Sequence, residues 1–134
     1  MPQLTRLFYA SRATKEGALR AISEILPVAR DFNSKNNITG LLTFDGEYFT
    51  QVLEGPASIV NALMEKIAKD PRHENVRILY VGPILTRDFG EWSMGYVYDI
   101  KFVQDVESFM GIERPDFNEV AHFIEDLRDY VSKL

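Results

Sequence analysis

The chain has 134 residues, 46% of them hydrophobic and 12% aromatic, which suffices for one core and argues against a second domain. The 15 Lys and Arg are scattered among 20 Asp and Glu, giving a net charge of -5 that disfavours a nucleic-acid surface, and the lack of cysteine excludes disulfides, thiolate metal sites and cysteine nucleophiles. Neither a signal-type N-terminus nor a run of about 18 apolar residues is present, so a cytoplasmic protein without a membrane-spanning segment is expected.

In chain order, Leu4 to Ala10 reads as a strand with Leu7 and Tyr9 on one face and Phe8 and Ala10 on the other. Ser11 to Glu16 reads as a polar turn, with Thr14 placed to cap a helix whose stripe runs Leu19, Ile22, Leu26, Ala29. The next step of four lands on Asn33, an amide where a hydrophobe is expected. Pro27 cannot donate to the Ser23 carbonyl and predicts a kink or break, with helix resuming through Phe32.

Ile38 to Phe44 and Tyr48 to Leu53 form a predicted hairpin around a two-residue Asp45-Gly46 turn of type I′. Alternation puts Phe49, Gln51 and Leu53 on one face and Tyr48, Thr50 and Val52 on the other. Gln51 is thus an amide between two large hydrophobes, and burying it without partners costs roughly 1–3 kcal/mol. Pro56 then suits the first turn of a helix with the stripe Ile59, Val60, Leu63, Ile67, ended by Asp70 to His73. Val76 to Val81 is a fourth strand, Pro83 to Glu91 a loop and Trp92 to Tyr98 a fifth strand carrying Trp92 and Met94 on one face, with Gly95 allowing another backbone close. Asp99 to Arg114 reads as irregular, and Pro115-Asp116 introduces a last helix with Val120, Phe123, Ile124, Leu127 and Val131 on one side.

This order gives an α+β, ferredoxin-like split βαβ arrangement: a five-stranded, mainly antiparallel sheet with two helices on one face and a C-terminal helical extension. Periodicity puts Asn33 on the sheet-facing side of the first helix and Gln51 on one face of a middle strand, with Tyr9, on another strand, within reach of the same space. Two readings stand here. Each polar group is simply satisfied by backbone and neighbours, or the amides read the edge of a planar heterocycle held between the helices. His73 and His122 lack metal-ligand spacing, and no nucleophile–base pattern or phosphate-cradling glycine loop occurs, so no catalytic residue is assigned.

The segments LFYASR, FNSKNNITGLL, FTQVLEG, KDPRH and WSMG, in this order and spacing from about Leu4 to Tyr98, resemble the BLUF domain, a blue-light sensor that binds FAD. The resemblance implies a flavin ring between the two helices and assigns residues 1–98 to the flavin-binding domain and 99–134 to a C-terminal linker and helix. It implies that Tyr9 is the photoactive tyrosine, Gln51 the switching glutamine and Asn33 the asparagine on the pyrimidine edge. Ile25 and Ile67 match the aliphatic residues that sandwich the ring, Lys66, Asp70 and Arg72 the ribityl and phosphate contacts, and Trp92 and Met94 the relay positions near the glutamine. Phe32 departs from the pattern, since some members carry a polar flavin contact there. On illumination an electron and a proton are implied to leave Tyr9 through Gln51, and their return to leave the amide rotated or tautomerised, with a small red shift.

Too little chain follows Tyr98 for an output enzyme, so signalling to a separate protein, or to another copy of the chain, is expected. Two rival readings are a ferredoxin-like hydrolase of the acylphosphatase type, using Arg12 with Asn33 or Asn37, and a flavin-free regulatory binding module.

Overall fold

The computed structural model describes residues 3–111 and 115–132, without the side chains of Ala21 and Ile22, so the predicted Ile22 stripe position and the end of the Asp99–Arg114 stretch lie outside the described residues. Five strands, β1 (Leu4–Ala13), β2 (Thr39–Phe44), β3 (Tyr48–Pro56), β4 (His73–Pro83) and β5 (Gly95–Val97), form one sheet in the order β4-β1-β3-β2-β5. All neighbours are antiparallel except β2 and β5. β3 separates the parallel strands β1 and β2, which is the split βαβ topology expected from the element order.

Period-two alternation on β1 and β3 feeds two cores. Leu7, Tyr9, Phe49 and Leu53 face α2 (Leu26–Lys35) and α3 (Ala57–Lys69) on one side of the sheet. Phe8 and Val52 face α4 (Val103–Gly111) and α5 (Phe117–Ser132) on the other. The five predicted α5 residues are all buried there, with Phe123 touching the rings of Phe8, Phe102 and Phe109.

Several sequence expectations are revised. β1 continues through the expected Ser11–Glu16 turn as far as Ala13, because Ser11 and Arg12 pair with Phe49 and Tyr48 of β3. Thr14 does cap α1 (Lys15–Arg20), its hydroxyl accepting from Gly17 N at 3.2 Å. The disturbance expected at Pro27 is a π-helical turn over Ala21–Ile25, which leaves the proline in the first turn of α2, where its missing N–H is tolerated. An inserted π turn resets the helical phase. Leu19 therefore leaves the predicted stripe and is 76% exposed, while Leu26 and Asn33 stay buried.

The hairpin turn is shifted by one residue. Asp45 N bonds Tyr48 O, the loop residues are Gly46 and Glu47, and only Gly46 of the turn has positive φ, at 98°, which suits type II′ rather than I′. β5 is shorter than the predicted Trp92–Tyr98 strand, and the residues before it bend. A Cβ on Gly95 would lie 2.5 Å from the Leu41 side chain and 3.4 Å from the Trp92 ring, so this glycine admits side chains rather than the backbone expected. The stretch after Asp99 is helical rather than irregular: Asp99 caps a 3-10 turn (Ile100–Phe102), and Val106, Phe109 and Met110 bury one face of α4.

Truncating Phe123 to Ala removes the ring that joins α4, α5 and β1, and should destabilise the protein by about 3–5 kcal/mol in chemical denaturation. A loss under about 1 kcal/mol would contradict this placement of α5.

Candidate functional site

Tyr9 and Gln51 sit directly opposite one another on β1 and β3. Both are buried, at 1% and 6% exposure, and the Tyr9 hydroxyl donates to Gln51 Oε1. Burial, with Asp70 adding, pushes the phenol far above its ordinary pKa, so it keeps its proton. The amide is satisfied unevenly: Nε2 donates to Met94 Sδ at 3.5 Å, and a thioether is a weak acceptor.

Above this pair lies a slot of about 240 Å³ between α2 and α3. Its walls are Ile25, Val28, Ala29 and Phe32 from the first helical segment and Leu63 and Ile67 from α3; Tyr9, Leu42 and Gln51 form its floor. Asn33, buried on α2, donates through Nδ2 to Ser93 O at 2.7 Å, which leaves its carbonyl end as an acceptor. The sequence-predicted residues Tyr9, Ile25, Phe32, Asn33, Gln51, Lys66, Ile67, Asp70 and Arg72 thus line one cavity.

At Lys66, Asp70 and Arg72 the slot meets an outer depression of about 570 Å³ that adds Arg20, Lys69, Glu16 and Glu24. Arg72 is fixed by donating to Asp70, with Nη2–Oδ2 at 2.6 Å and Nε–Oδ1 at 3.0 Å. These bonds hold the Asp70 carboxyl below its usual range. Lys66 Nζ stands 5.5 Å from the Phe32 ring centre, across the slot mouth. An apolar slot lined by two amides and opening toward cations suits a flat ring system carrying a phosphate tail.

Trp92 and Met94 do not share a face. Met94, 2% exposed, packs with Tyr9 and Leu42 beneath the slot, whereas Trp92 is half-buried against the opposite core. They precede β5 in a bend, where strict alternation does not hold.

The loop that carries them is pinned at several points. Glu54, fully buried on β3, accepts from Arg6 Nε at 2.9 Å and from the Asp88 and Phe89 amides at 3.1 and 2.9 Å. Gly40 N donates to Trp92 O at 3.1 Å, and Arg30 Nε to Met94 O at 2.8 Å. Sequence reading missed Glu54 and Arg30; a carboxylate inside the apolar FTQVLEG strand was the available signal for the first. It also weighed His73 only as a metal ligand, although the ring lines the slot. Arg12, named for the hydrolase reading, stands apart from Asn33 in half-exposed ion pairs with Glu47 and Glu74.

A family model described as sensors of blue light using FAD matches residues 4–95, more than half of the chain. The chain belongs to the BLUF family. Its BLUF region is 35% identical over 91 residues to the blue light- and temperature-regulated antirepressor BluF of Escherichia coli strain K12. That alignment covers 68% of this chain but only 23% of the antirepressor, so the chain spans about a quarter of this relative's length. Among solved structures, the photo-activated state of BlsA superposes with a TM-score of 0.80 at 34% identity, covering 93% of this chain and 94% of that one. The dark state of BlrB, a BLUF protein, gives 0.81 at 28% identity, covering 97% and 98%. The C-terminal helices therefore lie within the shared architecture.

Because Asp70 has a depressed pKa when folded, it binds a proton less readily than in the unfolded chain. Its contribution is complete above the ordinary value of 3.8 and is lost as pH falls through the folded value. Asp70→Asn should therefore show a shallower acid loss of stability than the parent in urea titrations; coincident pH profiles would contradict the Arg72 pairing.

Proposed function

We propose that the chain senses blue light through the Tyr9–Gln51 pair and passes the change to a separate protein, or to a second copy of itself. In the slot, Ile25 and Ile67 would hold the ring faces of FAD, Asn33 and Gln51 its polar edge, and Phe32 would make an apolar contact in place of a hydrogen bond. Lys66, Asp70 and Arg72 serve the ribityl and phosphate portion, the lysine and arginine matching the charge of a diphosphate. The observation that carries this reading is the buried phenol–carboxamide pair whose amide bonds firmly at one end only.

Bound FAD supplies blue-light absorption and an acceptor for one electron and one proton. The rest follows from the side chains. Tyr9, held protonated, donates to Gln51 Oε1; with the amide turned over, its oxygen instead accepts from Nε2. The two ends of a carboxamide have nearly the same shape and opposite polarity, so the exchange inverts what the slot wall presents without changing its volume. The inverted amide also faces Met94 Sδ with an acceptor, and the lost N–H···S contact drives Met94 to move. Its carbonyl is bonded to Arg30 and that of Ser93 to Asn33, so the motion is delivered to the segment containing Trp92.

Residues 1–98 act as the flavin-binding domain and 99–134 as the segment that reports to the partner. Arg128 of α5 lies 3.8 Å from Asp88 in the loop leading to Trp92 and Met94, which supports α5 as the reporting element. We assign no catalytic step to the chain and place it in the cytoplasm; among the described residues no helix is long and apolar enough to cross a membrane.

Gln51→Leu should retain FAD and lose the light-induced red shift, and Tyr9→Phe should lose the shift as well. A normal shift in Tyr9→Phe would contradict the reading. Amide exchange of the segment from Trp92 to Ser132 should differ between light and dark, and identical protection would remove the proposed relay.

A further inference from the structure

His73 opens β4 at the edge of the slot, beside two backbone irregularities. The β1–β4 register slips between Ala10 and Arg12. On the β4 side of that slip Asn75 has φ 52°, left-handed for a residue other than glycine. Bulges of this kind re-aim side chains next to functional sites. The His73 ring meets the Tyr9 ring edge-on, with centroids 6.2 Å apart at 75°, and lies tilted on Phe49 at 4.9 Å. Its Nδ1 is 2.8 Å from Ser11 Oγ. Ser11 is fully buried and lies two residues beyond Tyr9, on the same face of β1.

The hydrogen-bond inventory assigns the tautomer. His73 Nδ1 is the partner of the buried Ser11 hydroxyl among the described residues. Were the ring protonated at Nδ1, the hydroxyl proton would be buried without an acceptor, which folded proteins avoid. Ser11 therefore donates to Nδ1, and the neutral ring carries its proton on Nε2.

We propose that His73 is a positioning residue for Tyr9: held by Ser11, its neutral ring braces the phenol, and its protonation in acid lowers the yield of the light reaction. The proposal rests on the sensor reading above. Tyr9 would supply one electron and its hydroxyl proton and recover both in the same cycle, with FAD as the acceptor when bound, so no external oxidant or reductant is needed. An imidazolium beside the phenol opposes removal of the electron, and it also deprives the Ser11 hydroxyl of its acceptor.

The charged and titratable groups around the ring are Asp70 and Arg72 on its own segment, Tyr9 on β1 and Lys66 on α3; further out with Arg72 lie Glu16 and Arg20 of α1, Glu24 of the π turn and Lys69 of α3, and β3 presents Phe49 and Gln51. Burial depresses the His73 pKa, Asp70 opposes this and Arg72 adds to it. The neutral ring accordingly prevails at neutral pH, and the acid effect sets in below 6.5.

The test is the initial rate of red shift per absorbed photon in FAD-loaded protein between about pH 5 and pH 8. The parent should lose about three-fold or more in yield toward the acid end, and His73→Gln should be flat over the range. Ser11→Ala removes a donor to the neutral ring and should move the acid limb to higher pH. Equal profiles for the parent and His73→Gln, or an unmoved limb in Ser11→Ala, would overturn the proposal. Nitrogen-15 NMR of His73 in the protein as purified, kept in the dark, supplies a second readout: a proton on Nε2 at neutral pH is expected, and one on Nδ1 overturns the assignment. Absence of any red shift in the parent would count against the sensor reading itself, while the NMR result would still judge the Ser11–His73 bond.

Discussion

The site depends on one cross-strand pairing. Tyr9 and Gln51 face each other because β1 and β3 pair in a register that also sets Leu7 opposite Leu53 and Phe8 opposite Val52. A slip of one residue would put Tyr9 and Gln51 on opposite faces of the sheet, one of them among the phenylalanines of the other core. Since β1 and β3 bury hydrophobes on both faces, such a slip would also misplace Phe8 and Leu7, so the two cores jointly enforce the phenol–carboxamide contact. A buried phenol that keeps its proton in the dark and an amide with two unlike ends leave two ways to form a hydrogen bond between them. That choice is the basis of the proposed switch.

The two faces of the sheet have different tasks, and β3 joins them. Gln51 points under the slot, while Glu54 on the other face holds the Asp88–Phe89 amides and Arg6. The segment from Asp88 to Met94 is therefore fixed at one end by a carboxylate on the α5 side and meets Gln51 at the other through sulfur. Removing Glu54 would leave Arg6 with Asp88 alone and the Asp88 and Phe89 N–H groups without their acceptor, so this anchor is expected to stay fixed while the Met94 end moves. A rigid anchor beside a weak N–H···S contact places the proposed motion in the bend around Trp92 and Ser93, whose carbonyls accept from Gly40 N and Asn33 Nδ2.

Much of this was legible in the sequence for physical reasons. Strand alternation put Gln51 on one face with Phe49 and Leu53 and Tyr9 on one face with Leu7, and the amphipathic stripe of α5 was correct to the residue, because these signals are local periodicities. Counting through Pro27 failed at Leu19, since a π turn resets helical phase, yet Asn33 kept its face. Trp92 and Met94 were assigned to one face by an alternation that holds only in extended chain, and the backbone bends there. Glu54 showed only as a carboxylate in an apolar strand, because its partners, Arg6 and the Asp88 loop, are distant in sequence. The Ser11–His73 bond likewise depends on a bulge that no spacing rule foretells.

The most direct test of the central claim follows the methionine methyls, labelled with carbon-13, in FAD-loaded protein under blue light and in the dark. If Gln51 inverts against Met94 Sδ, the Met94 resonance should shift on illumination and return in darkness, while Met64 and Met110, buried in other contacts, stay close to their dark positions. A full red shift with the Met94 signal unmoved would contradict the account.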